Sequence, residues 1–109
     1  MAYDEILAAR IRAQLARIPG LTEKKMFGGV AFMANGNMAC GVNGDHLIVH
    51  VGLEKHSQSL AQPHTSPFDM TGKPMAGWIK VGAGGLESDG QLNDWIHQGL
   101  NFAFSLPPK

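Results

Sequence analysis

The pair Asn35-Gly36, set between two short apolar runs, constrains this chain more than any other feature. A two-residue type I′ turn needs positive φ at both central positions, and Asn and Gly tolerate that conformation better than any other pair. The surrounding stretch from Met26 to Val51, MFGGVAFMANGNMACGVNGDHLIVHV, then reads as three consecutive antiparallel strands. The second turn falls at Asn43-Gly44-Asp45, with either Asn43-Gly44 or Gly44-Asp45 as the looped pair; both put the same side chains on the same face. A plain hairpin at Asn35-Gly36 sets Ala34 opposite Asn37, Met33 opposite Met38 and Phe32 opposite Ala39. Alternation with period two then places Phe27, Gly29, Ala31, Met33, Met38, Cys40, Val42, Leu47, Val49 and Val51 on the core side. Gly28, Val30, Phe32, Ala39, Gly41, His46, Ile48 and His50 fall on the other side, which is less polar than a face meant only for water. Such a face is a partner surface or is covered by the chain's own tail.

The rest of the chain extends or covers this sheet. Tyr3, Leu7, Ile11, Leu15 and Ile18 recur at helical spacing, with Asp4 and Glu5 in the opening turn and Pro19-Gly20 as a stop, so a first amphipathic helix is expected over 3–18. Leu53, Leu60 and Ala61 allow a minor helix. Gln62 to Pro67 reads as a connection because of its prolines. Phe68-Asp69-Met70 and Ala76 to Val81 read as two more strands joined by the Thr71-Gly72-Lys73-Pro74 turn. Gly82 to Gly85 reads as a mobile loop. Ser88 and Gln91 form a capping box ahead of a last helix whose stripe is Leu92, Ile96, Gly99 and Ala103. The result is one α+β domain over 1–109, with one five-stranded antiparallel sheet and helices packed on it.

Composition narrows the function classes. The chain has 9 Lys+Arg against 9 Asp+Glu, a formal net charge of zero, so no long-range field recruits a phosphate backbone and direct DNA binding is not expected. Arg10, Arg12, Arg17, Lys24 and Lys25 read as solvated residues partly balanced by Asp4, Glu5 and Glu23. A single cysteine allows no internal disulfide, no leader is recognisable and no apolar run is long enough for a membrane span, so a cytoplasmic protein is expected.

The candidates for chemistry are few. His46 and His50 lie four apart on a strand, roughly 13 Å, and cannot share an ion, so neither a metal nor another cofactor is expected. Cys40 falls on the inward side of a central strand, where a thiol is an inert small hydrophobe. Met33 and Met38 read as core filling. The best loop site is Lys73, Pro74, Met75 and Trp78, where a fixed turn offers one cation beside an aromatic platform. The interaction surface expected on the sheet is Val30, Phe32, His46, Ile48 and His50.

KKMFGGVAFMANGNMACGV, LIVHVG, FDMTGKPMAGW, and Trp95 followed by NFAFSLPPK together resemble the amino-terminal domain of the TfoX/Sxy family, nearly end to end and in order. The resemblance implies the element order αβββαββα, and the strands read from the residues agree. Members of that family are named as regulators of natural competence, and this chain is similar to the stand-alone form that lacks a carboxy-terminal domain. His50 stands where members often carry Arg, and Lys73 replaces an Arg ahead of Pro74-Met75, changes that weaken bidentate anion contacts. The expectation is a non-enzymatic regulatory or protein-interaction domain whose partner is another protein or a second copy. The alternative is a small-ligand or catalytic domain with a pocket near Lys73 and Trp78, with His50 alongside.

Overall fold

The computed structural model describes residues 3–26, 29–70 and 73–108. Helix α1 (Glu5–Leu15) starts where the Asp4 carboxylate accepts hydrogen bonds from the Ile6 and Leu7 N–H groups at 2.9 and 3.1 Å, and it buries Leu7, Ile11 and Leu15 from the expected stripe. The strands are β1 (Leu21–Met26), β2 (Gly29–Ala34), β3 (Asn37–Asn43), β4 (His46–His50), β5 (Thr65–Met70) and β6 (Lys73–Val81). They form one antiparallel sheet in the order β1-β2-β3-β4-β6-β5. Short helix α2 (His56–Leu60) lies between β4 and β5, and α3 (Asp89–Ser105) closes the fold. Ser88 and Gln91 cap α3 reciprocally, as their spacing predicts.

Both turns of the central meander take the expected residues. Asn35 and Gly36 have φ of 51° and 86°, as a type I′ turn requires. The second loop is Gly44-Asp45, since Asn43 pairs with His46, and Gly44 supplies a φ of 60° at the first central position.

The sheet has six strands rather than five, so the order is αββββαββα. The added strand is β1, LTEKKM, at the sheet edge. Thr22, Glu23, Lys24 and Lys25 are all exposed, so β1 shows none of the apolar alternation by which a strand is recognised. Strand β5 starts earlier than expected, at Thr65, and contains Pro67; it is the opposite edge, where a missing N–H is tolerated. Gly82 to Gly85, expected as a mobile loop, closes a short 3-10 turn through a Gly85 N–H to Gly82 carbonyl bond of 2.9 Å, and Gly85 is buried.

The two sides of the sheet also need correction. The β2–β3 register runs Ala34↔Asn37, Met33↔Met38, then Phe32↔Cys40, so Ala39 is an extra residue on β3. A bulge of this kind puts two neighbours on one side and flips the parity of everything beyond it. Val30, Phe32, Ala34 and Ala39 therefore join Cys40, Val42, Leu47, Val49, Val51, Ile79 and Val81 in the core. Gly29, Ala31, Met33 and Met38 move to the outer side with Gly41 and Ile48; Phe27 and Gly28 lie outside the described residues. Buried side chains of α1 and α3 belong to the same core cluster, and Leu60 of α2 packs against it, so the three helices cover one face.

The bulge sits where α3 comes closest. A Cβ on Gly99 would stand 2.3 Å from the Ala39 carbonyl oxygen, so α3 reaches the sheet only because that position has no side chain. Ala39, the residue inserted there, is itself small.

Candidate functional site

The outer face does not present the apolar patch expected of it. Val30 and Phe32 are core residues, and Ile48, which does face outward, is only 2 % exposed. Across the strands its row reads Lys24, Ala31, Gly41, Ile48, Lys80 and Ser66, so charged or polar residues flank a small buried centre. His46 lies at the turn, where its Nδ1 is 2.9 Å from Oδ1 of Asp45.

The remaining predicted residues converge at the end of β4. His50 pairs with Trp78 across β4 and β6, and their rings stack with centroids 3.9 Å apart and planes 8° from parallel. Phe102 of α3 meets the His50 ring edge-on, at 4.5 Å and 66°. Stacked and edge-on contacts of this sort hold rings in fixed orientations. Met75 is half-buried; Thr71 and Gly72, and the side chains of Lys73 and Pro74, lie outside the described part. The loop site is thus represented by Trp78 and Met75, with His50 brought beside it.

Backbone geometry fixes this corner. The N–H groups of Val51 and Gly52 both donate to the Gly77 carbonyl, at 2.9 and 3.1 Å, which ends the regular ladder and turns the chain away from the sheet. Gly52 has φ of 86°, and a Cβ there would lie 2.5 Å from the Phe102 ring. Gly52 is therefore required twice, by its own backbone angle and by the ring resting on it.

Beside the trio opens a cleft of about 530 Å³, floored by Val51, Gly52 and Phe102 and rimmed by Leu53, Gln98 and Asn101. Leu53 is 72 % exposed at its lip. Glu54 and Lys55 also line it, so apolar, amide and charged groups share its wall. Phe102 and Gly52 were not among the sequence candidates. The available signals were the glycine that closes LIVHVG and the position of Phe102 beside the α3 stripe.

Cys40 is wholly buried, and burial pushes its thiol up to about 12, so it stays protonated at neutral pH. Among the described residues no group of three or more His, Cys, Asp and Glu could hold a metal ion, and no helix is long and apolar enough to cross a membrane.

A six-stranded antiparallel sheet with its helices on one face, a bulge on β3 and a capped final helix defines a small α+β domain. By sequence the chain belongs to the TfoX N-terminal domain family, whose model matches residues 13–103. No curated protein and no solved structure matches it.

Proposed function

We propose that this protein is a non-enzymatic regulatory domain that acts in the cytoplasm by binding another protein, in the manner of the competence and transcription regulators its family is named for. The observation that carries the reading is the family match over residues 13–103. Zero net charge and a fully buried thiol support contact through local surface rather than through a phosphate backbone or a nucleophile. Burial of Val30, Phe32 and Ile48 favours a different protein over a second copy, because the apolar sheet face that would join two copies is not exposed.

A second reading, a small-ligand domain, is favoured by the cleft beside Phe102 and the His50–Trp78 stack. One pair of measurements separates the two. Cross-linking in the native cell followed by isolation is expected to return a reproducible protein partner, while metabolite and nucleotide pools leave the melting temperature unchanged. No partner, together with a ligand that raises the melting temperature, would replace the first reading by the second. Retention on heparin that is lost only at high salt would point to nucleic acid instead.

A further inference from the structure

Strand β1 is a sheet edge whose backbone is open on one side. The Asn35 N–H donates to the Gly20 carbonyl at 2.9 Å, and the β1–β2 register continues from that pair without a shift. Because inward and outward groups alternate along an antiparallel pair, Thr22 and Lys24 turn their N–H and C=O groups toward β2. Leu21, Glu23 and Lys25 turn theirs away. Among the described residues, no backbone hydrogen bond joins them to another segment.

The side chains around this edge are organised. Glu23 is held by Arg12 of α1 through two bonds of 2.7 Å, whereas Lys24 and Lys25 are exposed and have no salt-bridge partner among the described residues. The free charge along the edge is therefore positive. Between α1 and β1 runs a groove of about 240 Å³ lined by Leu15, Ala16, Ile18, Leu21 and Phe32, with Arg12 and Glu23 at its rim.

We propose that β1 accepts an extended, acidic segment of a partner protein as a seventh strand. Main-chain bonds run to Leu21, Glu23 and Lys25, the acidic side chains lie on the outer face beside Lys24, and one apolar side chain on the helix face enters the groove at Leu15 and Ile18. Strand addition draws affinity from the backbone and specificity from alternate side chains, and this edge offers both. The assignment rests on the reading of the domain as a protein-binding module and names the surface and the chemistry of what it binds.

A second copy of the chain fits poorly. Residues opposite one another in an antiparallel pair point to the same face, so a two-fold pair of β1 strands that keeps both helix layers on one side must set one residue against itself. The register centred on Glu23 opposes two carboxylates, and the one centred on Lys24 opposes two ammonium groups while its flanking rungs set Lys25 against a Glu23 already held by Arg12. The same lysines that deter neutral or basic strands from the edge attract an acidic one.

The test uses the whole protein, ¹⁵N-labelled and methyl-labelled, titrated with a capped hexapeptide alternating aspartate with valine and leucine. Amide shifts confined to residues 21–26 and methyl shifts at Leu15 and Ile18 are expected. The same peptide with lysine in place of aspartate should bind at least tenfold more weakly, and Lys24→Glu with Lys25→Glu should reverse that preference. Lys25→Pro removes an outward N–H while sparing the bonds to β2, and should abolish the β1 shifts; should it not fold, the charge reversal carries the test. No shift at β1 with millimolar peptide, shifts only at the Phe102 cleft, or equal binding of both peptides would overturn the assignment. Cross-linking separates the two levels: a partner captured equally by wild type and Lys25→Pro leaves the domain a protein binder and removes β1 as its site. No capture by either protein removes the broader reading.

Discussion

Where α3 crosses the middle of the sheet, the contact depends on atoms that are missing; along β1, the structure depends on charges that are present. Gly99 lets the helix backbone come down on the Ala39 carbonyl, and the bulge at Ala39 turns Phe32 and Val30 into the space beneath. On β1, by contrast, four successive side chains are exposed and the specific tie to the helix layer is the Arg12–Glu23 pair. A seam built on close approach has no tolerance for added volume, whereas an edge built on solvated charge tolerates substitution and remains accessible. That difference places rigidity at β3 and availability at β1.

Thiol chemistry probes the contrast most directly and has the largest expected effect. Cys40 is fully buried beside the bulge, and its thiol is held in the unreactive protonated form. A disulfide reagent at pH 8 should modify it only through unfolding, at least about a thousandfold more slowly than the denatured chain. A thiol introduced by Lys25→Cys should react at once. Comparable rates at the two positions would mean that β3 opens locally and that the seam is not rigid.

Volume at the seam comes next. Gly99→Ala would ordinarily stabilise a helix by about 1 kcal/mol, but here its Cβ would stand 2.3 Å from a backbone oxygen. Overpacking of this type costs about 1–3 kcal/mol and sometimes more. The net expectation is a loss of about 2 kcal/mol, or roughly 10 °C in melting temperature for a domain of this size, measured by chemical and thermal denaturation. A gain in stability would show that α3 can lift from β3 at little cost.

The same contrast explains which parts could be read from the residues. Asn35-Gly36, Gly44 and the Ser88–Gln91 cap were legible because turns and caps are decided by neighbours in sequence. The bulge was not, because α3 comes closest to Ala39 at Gly99, far along the chain; one inserted residue sent Val30 and Phe32 to the wrong face. Strand β1 was illegible for the opposite reason, since an exposed edge needs no apolar alternation. At the corner, Trp78 and His50 were singled out and do meet, but Phe102 completes the cluster from another element. Its presence was signalled by its place beside the α3 stripe and by Gly52, whose meaning appears once the ring is seen resting on it.

The smallest effect concerns the tie between α1 and β1. The Arg12 and Glu23 side chains are 46 % and 34 % exposed, so solvent screens the pair, and its coupling in a double-mutant cycle should be only about 0.5 kcal/mol despite the two short bonds. Its pH dependence has a definite sign. The hydrogen bond from Arg12 holds the Glu23 carboxyl below its ordinary value of 4.5, so the folded state binds that proton less readily than the unfolded chain does. The contribution is therefore complete above the ordinary carboxylate value and disappears as pH falls through the depressed one. Wild type and Arg12→Ala should differ slightly at neutral pH and converge in acid, with the difference shrinking in high salt. A coupling of several kcal/mol, or one that grows on acidification, would make β1 as tightly determined as the seam at Gly99 and would remove the distinction between a rigid centre and an accessible edge.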